Sequence, residues 1–400
     1  MSSRTVSWRL SALRSPEPRQ RRLPTGALVG AVALLGAGLL VPPSVAGAAA
    51  TPAVGTVTVV AAHVDNPRGL AFGPDGHLYV AEAGHGGSDC PPGAKSPEGQ
   101  PVCFGLTGAL ARLGRGKATP VYRGLASLAD PAGIAAEGPS GLVWSGNVWQ
   151  LVMGLSSQQT VPGLSAADAK ASKAQLGRLV AIDRKGGHGR VVADVGGDDY
   201  RWSQRHHSYE PQQFPDANPF GAFADGKKTY VADAGTNLLT EVTGSKTSPL
   251  AFFPNPPVSD SVPTCVAKGP DGALYVGELT GAGNKAGAAR IWRLVVNHKP
   301  TVWRTGLSNV AGCGFDAHNN FYAVELQTAA FNPGPNGDPR GAVIKIAPNG
   351  TRTQLGYGKL FYPQGFAVSG NGLFVSNWSI FPASAGSSNA PTGQVVRIQI

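Results

Sequence analysis

Five short segments end on a side chain that can carry chemistry: Glu82, Asp233, Glu278, Glu325 and Asn377. Each closes an apolar-aromatic run, and the matching position of a sixth copy is Val152. Turned toward a common axis, four carboxylates would repel unless a cation, a donor or water came between them. Oxygen-only ligands would suit Ca²⁺ rather than zinc. Turned back on their own segments, the same side chains would cap backbone amides. Both readings stay open on the sequence. A second dense stretch runs from Asp198 to Glu210 and carries Tyr200, Trp202, His206, His207 and Tyr209. It reads as an aromatic-packed surface loop, or as one that touches a ligand through Tyr200, Trp202 and His206 beside Asp233 and Asn377. Adjacent His206 and His207 would point opposite ways in an extended chain and not share a metal. No G-x-S-x-G, H-E-x-x-H or Walker A motif occurs, nor a G-x-G-x-x-G in a strand–helix context.

The elements that position these residues come from a repeat. Gly69–Glu82, Phe220–Asp233, Thr264–Glu278, Gly312–Glu325 and Gly365–Asn377 follow one pattern, with a degenerate copy at Pro139–Val152. Each is an apolar strand, a Gly/Asp/Asn turn and an apolar-aromatic strand. Pro-Asp-Gly and Gly-Asn-Gly supply the positive φ of tight hairpin turns. A third strand follows each hairpin and a fourth usually follows that. Four antiparallel strands repeated six times predict an all-β, six-bladed β-propeller. The last copy lacks a fourth strand, which the segment Thr56–Val60 can supply, removing two sheet edges at once. Seven blades would also fit the length, but no seventh hairpin is found.

In such blades the connections between the second and third strands, and from blade to blade, share one face. The long segments 84–107, 155–177, 196–218, 327–341 and 379–393 all belong to that set. Long loops on a rigid scaffold carry binding or catalysis, although loop growth is also cheap. Ser165 is a good N-cap, which predicts a short helix after it.

With 55 Gly and 33 Pro among 400 residues and 14% charged residues, a helical bundle is excluded. Residues 1–50 hold six Arg against Glu17, an apolar run Ala27–Val41 and the small-residue stretch Ala46–Ala50. They read as a secretory signal, leaving 51–400 as the propeller. The run falls short of the ~20 residues a spanning helix needs. Removing six positive charges and one negative takes the net charge from +10 to +5. That balance gives no cause to expect nucleic acid. The mature chain is expected to be secreted, monomeric and without a membrane span. Cys90, Cys103, Cys265 and Cys313 are an even set in an exported chain. Four Cys allow three pairings. The 13-residue spacing favours Cys90 with Cys103, leaving Cys265 for Cys313.

The blade pattern resembles NHL-type and senescence-marker-protein-like propellers. More narrowly, the chain resembles the ScyD/ScyE family of exported proteins. The residues that carry this are Gly138-Pro-Ser-Gly-Leu, Gly177-Arg-Leu-Val, Asp216-Ala-Asn-Pro-Phe-Gly, Tyr230-Val-Ala-Asp-Ala-Gly and Tyr275-Val-Gly-Glu-Leu-Thr-Gly281. The resemblance implies a fold and an exported location, and no reaction. Two functions follow. One is a binding module for a small molecule, a polymer or an extracellular protein. The other is a lactonase-like hydrolase using Ca²⁺ on the ring of Glu82, Asp233, Glu278 and Glu325.

Overall fold

The computed structural model describes residues 51–52, 55–94, 101–159, 161–281, 283–332, 337–384 and 391–400. The signal reading of 1–50 therefore lies outside the described residues. The fold is all-β and propeller-like. The chain enters through β1 (Thr51–Pro52) and β2 (Val57–Ala62). A four-strand run follows: β3 (Pro67–Phe72), β4 (Leu78–Glu82), β5 (Cys103–Gly114) and β6 (Gly116–Ala129). The next sheet is β7 (Pro139–Ser145), β8 (Val148–Met153), β9 (Leu179–Asp183) and β10 (Gly189–Ala193). Helix α1 (Ala166–Gln175) lies between β8 and β9, and α2 (Val195–Arg205) follows β10. Then come β11 (Pro219–Asp225), β12 (Lys228–Asp233), β13 (Leu238–Thr243) and β14 (Lys246–Phe252). The next four are β15 (Pro263–Lys268), β16 (Leu274–Glu278), β17 (Ala289–Leu294) and β18 (Thr301–Leu307). After them come β19 (Val310–Phe315), β20 (Phe321–Glu325), β21 (Arg340–Ile346) and β22 (Arg352–Phe361). The last are β23 (Phe366–Ser369), β24 (Gly372–Asn377) and β25 (Gln394–Gln399).

Six separate sheets were expected, and the hydrogen bonding departs from that. Three sheets have four strands, β22 gains β1 in parallel, and the remaining eight strands join in the order β23-β24-β25-β2-β6-β5-β4-β3. Two parallel bridges, Ala61 to Gly116 and Ala62 to Lys117, make that join. They arise because β5 and β6 form a long hairpin whose Arg115 turn reaches β2. On its other side β2 pairs antiparallel with β25, from Val57–Ile398 to Ala62–Gln394.

Apolar side chains fill the seams between successive runs. Tyr79 meets Trp149 across one seam at 4.3 Å between ring centres, and Phe72 meets Phe374 across another at 5.4 Å. Phe253 and Trp292 pack across a third. The alternation of β-branched and aromatic residues that makes these strands thereby builds the core.

The first strand of each run lines a narrow central channel, with Gly69, Gly141, Gly221, Cys265, Gly312 and Gly365 on its wall. About 80 Å³ is open there, well below a typical small-molecule pocket. The glycines let neighbouring backbones touch. A Cβ on Gly69 would meet the Ser140 carbonyl at 2.6 Å, and one on Gly141 the Phe220 carbonyl at 2.7 Å. Gly221 faces Thr264, Gly312 faces Gln364 and Gly365 faces Arg68 more tightly still. Register shifts recur beside this point, between Pro67 and Leu70, Pro139 and Leu142, Pro219 and Gly221, and Pro263 and Cys265. Such bulges re-aim the strand toward the next one around the ring.

Both expected disulfides are present, Cys90–Cys103 and Cys265–Cys313. The second joins β15 to β19, pinning two channel-lining strands with Cα atoms 5.7 Å apart. It closes a loop of 48 residues, against 13 for the first. Loop-closure entropy makes the longer bridge worth about 4 kcal/mol and the shorter about 3. Replacing Cys265 and Cys313 together by Ser should lower the unfolding free energy more than replacing Cys90 and Cys103. Denaturant titration of the two variants measures the difference, and the reverse order would reject the assignment.

Candidate functional site

The long connectors gather on the predicted face. They are the segments after β4, β8, β10, β16, β20 and β24. On the opposite face the turns are short. Asp75 and Asp271 bind their own hairpins there, accepting from Tyr79 and Tyr275 hydroxyls at 3.1 Å each.

The strand-end acids stand at the long-loop face but do not converge on a point. Among the described residues no three His, Cys, Asp or Glu side chains are placed to hold one metal ion. Each acid is engaged within its own run. Asp233 Oδ1 accepts from the N–H groups of Asn218, Gly235 and Thr236 at 2.7, 3.0 and 3.0 Å. Glu325 Oε1 accepts from Ser308 N–H at 2.8 Å, and Asn377 Oδ1 from Phe361 N–H at 2.7 Å. Glu82 takes the N–H of Asp65. Three of the five thus close the connector that enters the first strand of their run, and Asn377 holds the end of β22. Glu278 differs. It accepts from Ser261 Oγ at 2.7 Å and pairs with Arg290, whose backbone N–H and Nε lie at 3.0 and 2.8 Å from its other oxygen. The Trp292 indole N–H completes the set. A carboxylate this committed has little left for a cation. Asp233 and Asn377, offered by the sequence to a ligand, are 0% and 3% exposed, and one oxygen of each is bonded to backbone N–H groups.

Burial pushes Glu82 and Glu325 up to about 7. For Glu82 the negative charge of Asp65 adds to that push, while the Ser308 N–H and Arg352 oppose it at Glu325. A carboxyl whose folded value lies above its unfolded one contributes stability that is full below about pH 4 and lost as pH rises through about 7. Unfolding free energy should therefore fall between about pH 5 and pH 8. Glu325→Gln should flatten part of that fall, by up to about 3 kcal/mol. Denaturation curves at the two pH values check this, and a slope unchanged by the substitution would contradict it.

The Asp198–Glu210 stretch was expected to be a loop, and most of it is helix. Asp194 caps α2 by accepting from Gly197 N–H at 3.1 Å. The Gly-Gly pair and the aromatic content hid the helix, whereas the Asp cap was a visible signal. Trp202 stacks on His206 at 4.1 Å, and Tyr209, Phe214 and Phe252 surround them. His206 Nδ1 lies 2.8 Å from the Trp202 carbonyl oxygen, which fixes the ring. Tyr200 is half-buried on the same helix. Helix α1 begins as expected, with Ser165 Oγ accepting from Asp168 N–H.

A second cluster was not foreseen. Leu279, Ala311, Leu326, Phe331 and Tyr362 are buried at the long-loop end of the channel, with Val262, Trp378, Ile380 and Phe381 half-exposed around them. Trp378 stacks on Phe361 at 4.6 Å and meets Phe381 edge-on at 5.3 Å. Beside it, buried Arg68 donates to Gln364 Oε1 and to the Ala136 carbonyl at 2.5 and 2.6 Å. His85 Nδ1 lies 2.8 Å from Asp65 Oδ2, whose other oxygen accepts from Ala383 N–H at 2.6 Å. These residues come from connectors far apart in sequence, and spacing alone gave no sign of their meeting.

No protein-family description matches the chain, and no curated protein matches it. Solved structures do overlap with it. Virginiamycin B lyase from Staphylococcus aureus is 12% identical, over 86% of this chain and 99% of that one, with a TM-score of 0.45. A carbohydrate-active enzyme of family AA12 from Trichoderma reesei is 9% identical over 86% and 95%, with a TM-score of 0.48. A chain of the nidogen–laminin complex is 16% identical over 69% and 85%, with a TM-score of 0.42. The neighbours are propeller-like and include both enzymes and binding proteins, and the likeness transfers no residue and no reaction. The ScyD/ScyE resemblance gains no support from them.

Proposed function

We propose that the chain is an exported binding module, a six-bladed propeller that takes its ligand on the long-loop face. The count of six treats the two bridges between β2 and β6 as a contact between neighbouring blades, with β2 completing the blade of β23, β24 and β25. Residues 51–400 then form one domain behind a signal in 1–50, as in the ScyD/ScyE proteins it resembles. One observation carries the binding reading: the half-exposed apolar rim of Val262, Trp378, Ile380 and Phe381, built from two connectors on the face where the long loops lie. Apolar and aromatic surface with a few fixed polar groups suits recognition of a small molecule. The His85–Asp65 pair, with its imidazole exposed, supplies such a group, and buried Arg68 braces the wall beside it. The hydrolase reading draws on Glu82, Asp233, Glu278 and Glu325, which are buried in separate blades, and among the described residues no three of them come together.

A thermal-shift screen of a metabolite library and of medium conditioned by the producing cells tests the proposal. A stabilising ligand should lose affinity at least tenfold in Trp378→Ala and keep it in Trp202→Ala. Loss in the second variant and not the first would move the site to α2. Turnover of a stabilising lactone by the wild-type protein would favour the hydrolase.

A further inference from the structure

The seam between the β7–β10 and β11–β14 sheets holds two facing acids. Asp199 on α2 and Asp233 at the end of β12 are both fully buried. Asp199 Oδ1 accepts from the Thr240 hydroxyl at 2.8 Å, and Asp233 Oδ1 is filled by three backbone N–H groups. The second oxygen of each is buried with no donor. The two carboxyl groups lie within hydrogen-bonding reach of one another. We propose that Asp199 and Asp233 share one proton between their second oxygens, and that this proton fastens α2 to the β11–β14 sheet and frees the helix when it is lost.

Two ionised carboxylates in contact within a dry seam would repel strongly, while one proton turns the same contact into a short, charge-assisted hydrogen bond. It also satisfies both orphan oxygens at once. Among the described residues, no cation is among the groups that shift the pair. The charged groups acting on the pair are Asp198 from α2 itself and Asp216 from the connector before β11, which add further negative charge. The guanidiniums that border α2 are engaged elsewhere, Arg178 on Asp194 at 2.6 Å and Arg201 on Asp198 at 2.5 Å. Burial drives both Asp199 and Asp233 upward, and the charge of Asp233 drives Asp199 further. Both shifts are upward, so the fastening is complete in acid and is lost as pH rises through the pair's folded value.

Besides the apolar packing of Val195 with Val231 and Val242 and of Trp202 on Phe252, few polar ties hold the helix to the sheet. Asp198 accepts from Thr247 Oγ1 at 2.6 Å, and Ser203 Oγ donates to the Asp216 carbonyl at 2.9 Å. Release would uncover the ring cluster of Trp202, Tyr209, Phe214 and Phe252. The inference is independent of whether the Trp378 rim binds anything.

Hydrogen exchange of the 195–205 segment, corrected for intrinsic rates, tests it in the full chain. From about pH 5 to about pH 9 its protection should fall at least tenfold further than that of the β12 and β16 strands, which report the global change. Asp199→Asn places a permanent donor between the pair and should keep the helix protected throughout. Asp233→Asn should do the same from the other side, so misfolding of one variant leaves the other. Asp216→Asn is the comparison: burial pushes Asp216 itself up to about 7, so removing its charge should move the fall to lower pH without abolishing it. Wild-type protection that ignores pH would overturn the proposal, as would a profile flattened only by Asp216→Asn. Protection restored at high pH by calcium chloride and removed by chelator would replace the proton with a cation.

Discussion

Glu278→Ala should be among the most damaging single substitutions in the chain, costing about 3–5 kcal/mol. The reason is what it leaves behind. Arg290 has a side chain only 6% exposed, and among the described residues Glu278 is the carboxylate it pairs with, across a 2.7 Å ion pair. Its remaining N–H groups go to the Pro256 and Pro254 carbonyls at 2.9 and 3.0 Å, which are neutral. Without the carboxylate, a guanidinium stays buried and unpaired, and the Trp292 N–H and Ser261 hydroxyl lose an acceptor. Glu278→Gln keeps the shape and should cost less. Replacing Glu278 and Arg290 together by Leu and Met should also cost less than Glu278→Ala alone, since an apolar pair strands no charge. Urea titration of the three variants gives the coupling energy. Equal losses for the single and double variants would reject the ion-pair account.

Gly365→Ala should destabilise by about 3 kcal/mol or more, although its backbone suits any residue. The obstacle is the Arg68 carbonyl on the neighbouring strand, well inside 3.0 Å of the new methyl group. Gly312→Ala should behave likewise against Gln364. A ring of strands cannot widen at one seam without moving the others, so the strain has nowhere local to go. Gly114→Ala, which meets nothing within 4 Å, is the neutral control. Thermal unfolding of the three variants should rank them in that order. A Gly365→Ala protein melting with the wild type would mean that the inner strands are not in contact.

Much of this architecture was legible because hairpins announce themselves locally. Pro74-Asp75-Gly76 and Pro270-Asp271-Gly272 sit at turns whose glycines have φ of 74° and 78°. The strand pairs around them follow from alternation. Cys265 and Cys313 were legible as partners because the short spacing of Cys90 and Cys103 left them for each other. The fate of the strand-end acids was not legible. Whether Glu325 points at an axis or at Ser308 depends on a rotamer, and the sequence carries no periodicity for that. The α2 helix was missed because its stability comes from docking on β13 and β14 more than from its own residues, two of which are Gly. The Trp378 rim was missed for a topological reason. Its members are brought together by ring geometry, which local spacing does not encode.

A toroid must be breached somewhere before it can unravel. The covalent tie between Cys265 and Cys313 denies that breach to the join of β15 and β19, and the bridges from Ala61 and Ala62 strengthen the join of β2 and β6. The join beneath α2 has neither safeguard and holds the uncompensated acids. Unravelling should start there, so a protease added under mild alkaline stress would first nick the stretch between β10 and β11 and leave the tied half whole.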